Sequence, residues 1–164
     1  MKALIQRVMK AKVTVNGEVV SNIEQGLCVL IGISKNDNLM DMEYIDKRWS
    51  KSVVDKDYEV LCVSQFTLYN TWKGNKPDFH NAMPADESKK IYEQFLELLK
   101  KSYKPEKIKD GVFGAYMQVS IENDGPVTVS IESPVRDEKT LAKENSRNPQ
   151  RVKMNINCDG DLHS

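Results

Sequence analysis

Lys12-Val13-Thr14-Val15-Asn16-Gly17-Glu18-Val19-Val20 decides how this chain folds. Apolar and polar residues alternate on both sides of Asn16-Gly17. Asn-Gly between alternating runs is the strongest short-range signal for a β-hairpin. An antiparallel pair therefore stands near the start of the chain. Residues 2–8 read as a first strand before it. Residues 26–34 form a continuous apolar run rich in β-branched side chains, the pattern of a buried strand.

Further on, Asn36-Asp37-Asn38 offers a helix cap, and a short helix is expected over residues 39–47. Residues 58–68 read as another buried strand and residues 70–84 as a polar loop. Pro84-Ala85-Asp86-Glu87 opens the clearest helix, which runs to about Tyr103 with Ile91, Phe95, Leu98 and Leu99 on its apolar face. Acidic residues open that helix and Lys100-Lys101 close it, as the helix dipole favours. Two more strands are expected over residues 112–121 and 127–131. Many strands with one long and one short covering helix make an α+β domain built on a curved antiparallel or mixed sheet.

The 164 residues suit one domain, and the balance of 24 basic against 24 acidic side chains leaves no net charge. A dedicated DNA-wrapping protein is usually basic overall. A local basic patch still suffices for a transient nucleic-acid substrate. From Pro134 onward periodicity is lost, and residues 135–164 carry six basic and five acidic side chains. The expected division is a folded domain over residues 1–133 and a disordered tail over 134–164. The opening residues lack the long apolar core and cleavage site of a signal peptide, and the longest apolar run is too short to span a bilayer. The expectation is a cytoplasmic protein with no membrane partner, a nuclear location being left open.

Nucleophilic catalysis finds little support in the residues. Ser64 and Thr67 sit at a strand end, but a hydroxyl nucleophile needs a positioned base. His80 and His163 are the two histidines, one in a polar loop and one in the tail, and no spacing requires either. Asp55, Asp57, Glu59 and Asp78 are scattered. There is no GxGxxG, Walker loop, HExxH or CxxC, so neither a cofactor nor a metal is expected. Cys28 and Cys62 lie in apolar runs and read as buried thiols. Rigid backbone is what remains. Gly125-Pro126 between two strands is an ordinary turn signal by itself, though a cis X–Pro bond there gives backbone groups that reject the wrong stereoisomer.

The order of motifs settles a resemblance. Met1-Lys2-Ala3-Leu4-Ile5-Gln6-Arg7-Val8 comes first, then Ser64-Gln65-Phe66-Thr67-Leu68. Lys73-Gly74-Asn75-Lys76-Pro77-Asp78-Phe79-His80, Gly111-Val112-Phe113-Gly114-Ala115-Tyr116-Met117 and Asn123-Asp124-Gly125-Pro126-Val127-Thr128 follow. The chain resembles the D-aminoacyl-tRNA deacylases, also called D-tyrosyl-tRNA deacylases, over residues 1–133.

The resemblance implies a barrel-like sheet and a homodimer with its active site at the subunit interface. It implies hydrolysis of the ester between a D-amino acid and tRNA, and in some members removal of glycine from mischarged tRNA. Gly125 and Pro126 match the family's Gly-cisPro dipeptide, which captures the substrate amino group in the partner's pocket. Arg7 matches the residue that orients it. Ser64, Gln65, Phe66 and Thr67 match the catalytic segment, with backbone N–H groups near Phe66 and Thr67 as an oxyanion hole. Phe79 and Met117 match positions beside the adenosine or aminoacyl group. Lys73 and Lys76 could contact phosphates. Another reading is a non-catalytic nucleic-acid-binding protein linked to DNA replication, or an inactive isoform.

The chain departs from the family at one point. Tyr44-Ile45-Asp46-Lys47-Arg48 runs straight into Trp49-Ser50-Lys51-Ser52-Val53, where the family has the rest of a longer helix and a strand. The expectation is a less stable and less active protein, because a lost strand takes hydrogen-bond partners and buried apolar area with it.

Overall fold

β1 (Lys2–Val15) is the axis of the sheet. It turns at Asn16 and Gly17, both with positive φ of 50° and 81°, into β2 (Glu18–Ile23). Both central residues at positive φ are what a tight hairpin turn demands, which is why Asn-Gly stands there. β3 (Gly26–Gly32) then pairs antiparallel with the first half of β1. α1 (Leu39–Lys56) crosses over, and β4 (Glu59–Ser64) returns parallel to β3. A 3-10 turn (Phe66–Tyr69) leads into a small hairpin of β5 (Thr71–Lys73) and β6 (Lys76–Asp78). After α2 (Ala85–Ser102), β7 (Ile108–Asp110) pairs parallel with β4, and β8 (Gln118–Glu132) runs antiparallel along β1.

The strand order is β2-β1-β3-β4-β7, with β8 also on β1. β2 curls towards β4 and β7, so the mixed sheet is nearly closed into a barrel. The expected α+β class holds. This computed structural model describes residues 1–136, apart from the side chains of residues 49–52. Met1–Ser133 form one compact unit. The tail expectation therefore lies outside the described residues beyond 136.

Alternation along β4 divides the core. Val60 and Cys62 face a cluster with Ile5, Val29 and Ile31, which Met42, Ile45 and Val53 of α1 and Tyr92, Phe95 and Leu99 of α2 complete. Leu61 and Val63 face the other way, into a cluster with Val8, Ala11, Val13, Ile23 and Cys28. A strand buried on both faces reads as a continuous apolar run, as this one does. Both described cysteines are buried and unpaired. Burial pushes the Cys28 thiol up to about 11, and Cys62 is also pushed up by burial.

Several element boundaries differ from the expected ones. α1 runs to Lys56 rather than stopping at Lys47, because no glycine or proline interrupts it and Asp57 ends it in the left-handed region at φ 54°. Its start is as read: the Asn38 side chain accepts from Met40 N at 2.9 Å, and Asp41 accepts from Asn38 N at 2.9 Å. The sheet is therefore covered by two helices of equal length, not a long one and a short one. The strand expected over 58–68 breaks at Ser64 into the 3-10 turn, and the expected loop over 70–84 contains β5 and β6. The two strands expected over 2–8 and 12–15 are one, as are most of those expected over 112–121 and 127–131.

Candidate active site

A cavity of about 620 Å³ opens where β4 ends. Ser64, Gln65 and Phe66 form one wall, and Phe79 and Met117 belong to the others. Five of the expected residues thus meet in one place. Thr67 stands beside it: its hydroxyl accepts a hydrogen bond from Gln65 Nε2. Phe66 packs edge-on to Phe79, ring centroids 5.2 Å apart.

The chain reverses direction sharply after Ser64. Gln65 N still donates to Ile31 O at 2.7 Å, extending the β3–β4 ladder, and Leu68 N then donates to Gln65 O at 3.3 Å. The Phe66 and Thr67 N–H groups precede the first bond of the turn and have no acceptor within it. Gly32 on β3 makes this possible. A Cβ there would stand 2.8 Å from Leu68 Cβ and 3.3 Å from Gln65 O. Lys2 steadies the far end, donating to Leu68 O at 3.3 Å with its ammonium 4.8 Å from the Tyr69 ring centre.

Sequence reading missed Gly32 and Lys2, whose contacts with the turn span too much sequence for any local pattern. It also left Phe113, Gly114, Ala115 and Tyr116 without roles, though all four line the cavity. Their loop is shaped by Gly114 at φ 75° and by Met117, whose Sδ accepts from Val112 N at 3.4 Å. Phe113 packs on Tyr92, centroids 5.6 Å apart, and the Tyr92 hydroxyl donates to Asp110 at 2.5 Å.

No triad assembles. The Thr67 hydroxyl receives its bond from an amide, which is a donor and cannot take up a proton. His80 Nδ1 bonds Asp78, and Lys73 Nζ reaches the same carboxylate at 2.7 Å. Lys73, then His80, hold the Asp78 carboxyl well below the usual range. Among the described residues no serine or threonine hydroxyl bonds to His80, and no three His, Cys, Asp or Glu side chains gather as a metal site would need.

Gly125 and Pro126 do not line this subunit's cavity. They lie on an excursion of β8. Gln6 pairs with Thr128 and Val8 with Asn123, so Arg7 alone faces residues 124–127. The Gly125–Pro126 peptide bond is cis, Gly125 has φ 119°, and both residues are exposed. Arg7 Nε stands 3.0 Å from Asp124 Oδ2 across the excursion. Asn123 Oδ1 accepts from Val127 N at 3.1 Å, and Asn123 Nδ2 donates to Thr128 Oγ1 at 2.9 Å. Lys73 and Lys76 sit apart again, exposed on the β5–β6 hairpin.

A family model for D-Tyr-tRNA(Tyr) deacylase matches residues 4–132. The chain belongs to this family. It is 54% identical over 162 positions to D-aminoacyl-tRNA deacylase 1 of Mus musculus, covering 87% of this chain and 78% of the mouse protein. An alignment of 162 positions that spans 87% of 164 residues leaves positions of the mouse protein unmatched. A solved structure named c-Myc DNA Unwinding Element Binding Protein superposes with a TM-score of 0.78 at 54% identity, covering 82% of this chain and 100% of the other. A second, described as a probable eukaryotic D-amino acid tRNA deacylase, superposes with a TM-score of 0.67 over 80% of this chain and 98% of its own. At 15% identity it speaks for the fold, the same nearly closed sheet.

Proposed function

We propose that this chain hydrolyses the ester between a D-amino acid and the terminal adenosine of tRNA, releasing free D-amino acid and tRNA. The observation that carries the reading is the exposed Gly125–Pro126 corner, beside the Arg7–Asp124 pair and outside the lining of its own cavity. A rigid, exposed backbone corner suits insertion into a second subunit. There it meets the cavity that Ser64, Gln65 and Phe66 line, and the working enzyme is a homodimer.

In that arrangement the Gly125 and Pro126 carbonyls accept from the substrate α-ammonium group. An L side chain would collide with the same backbone, so selection works by rejection. Water attacks the ester carbonyl, and the Phe66 and Thr67 N–H groups stabilise the oxyanion. The acyl C–O bond breaks and the 3′ oxygen leaves with a proton relayed through the neighbouring 2′-OH. With no side-chain base at Ser64 or Thr67, the substrate's own hydroxyl is the available proton carrier. Phe79 and Met117 hold the adenosine or aminoacyl group.

Deacylation of D-Tyr-tRNA, L-Tyr-tRNA and Gly-tRNA by the purified chain tests this, with a Gly125→Ala/Pro126→Ala variant alongside. Cleavage of the D ester by the parent alone is expected. The other reading, nucleic-acid binding without catalysis, is not favoured: one solved relative is named for DNA binding, but the family model and the curated relatives are named for deacylation. Folded protein that binds nucleic acid but cleaves no ester would establish it instead.

A further inference from the structure

Trp72 is unused by the cavity and by the β8 excursion. It lies on β5 with 67% of its surface open. Contiguous exposed apolar side chains rimmed by polar ones mark contact surfaces. In the hairpin Trp72 stands opposite Pro77, and Lys73 opposite Lys76. Alternation puts Trp72 and Pro77 on one face and Lys73, Lys76 and Asp78 on the other. The 2.7 Å Lys73–Asp78 ion pair agrees with that division.

Phe79 follows β6 directly, two residues beyond Pro77. Phe79 is also a wall of the cavity, edge-on to Phe66, which is itself 58% exposed. Phe66 and Phe79 thus stand at the cavity, and Pro77 and Trp72 are paired on the adjoining hairpin. On the reverse face of the same hairpin the charge is positive. Lys76 is exposed, and the Asp78 carboxylate is already shared by Lys73 and His80.

We infer that Trp72 is a stacking platform for the unpaired nucleotides that precede the esterified one at the RNA 3′ end. The inference rests on the hydrolase reading above. Bases of any identity offer a π face to an indole, and the attached phosphates call for nearby lysines. A purely apolar partner would have no use for Lys73 and Lys76.

The test compares the parent with Trp72→Ala and Trp72→Phe on two substrates, D-aminoacyl-tRNA and D-aminoacyl-adenosine. The second lacks the preceding nucleotides. Trp72→Ala should raise KM for the tRNA about tenfold and leave kcat unchanged, while Trp72→Phe keeps most of the affinity. Neither should alter cleavage of the adenosine ester. Independently, an uncharged CCA trinucleotide should quench the part of the tryptophan emission that disappears in Trp72→Phe. An unchanged KM for tRNA, an equal loss on both substrates, or no quenching would overturn the inference. If the parent cleaves neither ester, the hydrolase reading fails, and the quenching still decides whether Trp72 takes up the nucleotides.

Discussion

Arg7 Nε stands 3.0 Å from Asp124 Oδ2, the one ion pair among the described residues that crosses the β8 excursion carrying Gly125 and Pro126. Both side chains are partly exposed, at 39% and 31%. Such pairs contribute less than about 1 kcal/mol to stability. Their use is positional: a misplacement of about 1 Å can cost two orders of magnitude in rate. Arg7→Ala and Asp124→Ala should each lower kcat/KM on D-Tyr-tRNA about 100-fold, with melting temperatures near the parent's. Because the two act as a unit, the double variant should lose little more than either single one. Parent-like turnover in either variant would show that the excursion holds its shape without them.

Gly125 should not tolerate a side chain. At φ 119° an L residue is strained wherever it has room. Here a Cβ would also lie 2.9 Å from Val127 Cγ2 and 3.1 Å from Arg7 Nη2. Gly125→Ala should therefore reshape the excursion by displacing the very arginine that braces it. The expected result is loss of D-ester cleavage with a folded β1–β8 pair, visible as unchanged far-UV circular dichroism. Retained chiral selectivity would refute the role given to this backbone.

What the residues disclosed, and what they hid, follows the range of the forces involved. The Asn16-Gly17 turn was legible because positive φ at two positions is a local demand. The length of β1 was not, since its hydrogen bonds to β8 continue past Val8 while the pairing register shifts there and the buried set changes face. β5, β6 and β7 have three residues each, too few for any period to show. At the site, Ser64, Gln65, Phe66, Phe79 and Met117 were named through the resemblance and do share one cavity. Gly32 and Lys2 act on that segment across more than thirty intervening residues, so only the packed structure discloses them.

Thr67 offers a test of the proposed proton path. Its hydroxyl accepts from Gln65 Nε2 and has no base beside it among the described residues. If it only positions Gln65, Thr67→Val and Thr67→Ala should reduce kcat by about 10-fold, the effect of a lost orienting contact. A nucleophile's removal costs far more, about 10⁴-fold or beyond. Replacing the substrate's terminal 2′-OH with hydrogen should then be the larger loss. A collapse of kcat in Thr67→Ala with full activity on the 2′-deoxy substrate would reverse the assignment.

Asp57 closes α1 and ties it to the segment after α2. Lys104 Nζ lies 2.7 Å and Lys107 Nζ 3.0 Å from its carboxylate. Lys104 foremost, then Lys107, lowers the carboxyl to about 2. A depressed folded value means the contribution is present above the unfolded value of about 3.9 and is lost as pH falls towards the folded one. Asp57→Asn keeps a residue that tolerates the left-handed backbone and should flatten the melting curve's dependence on pH between about 4 and 2. Asp57→Ala should melt about 3 °C lower than Asp57→Asn at neutral pH, since alanine adds backbone strain. Equal melting of the two would remove the conformational part of the argument.

Asp110 should give the opposite sign. Burial, the largest influence, raises its carboxyl above the usual value, outweighing the Tyr92 hydroxyl and the Gly111 N–H that lower it. The folded state then holds the proton to higher pH than the unfolded chain does. Stability from this site is greatest below the unfolded value of about 3.9 and is lost as pH rises through the raised folded one. Asp110→Asn still accepts from the Tyr92 hydroxyl but cannot ionise. Thermal melts should therefore show that variant matching the parent near pH 3 and equalling or exceeding it at pH 7. Tyr92→Phe leaves the carboxylate short of a donor and should cost about 1 kcal/mol at pH 7. It should also loosen Phe113 at the cavity, raising KM more than it lowers kcat. A parent-like fall in stability with pH in Asp110→Asn would mean that another buried group sets the slope.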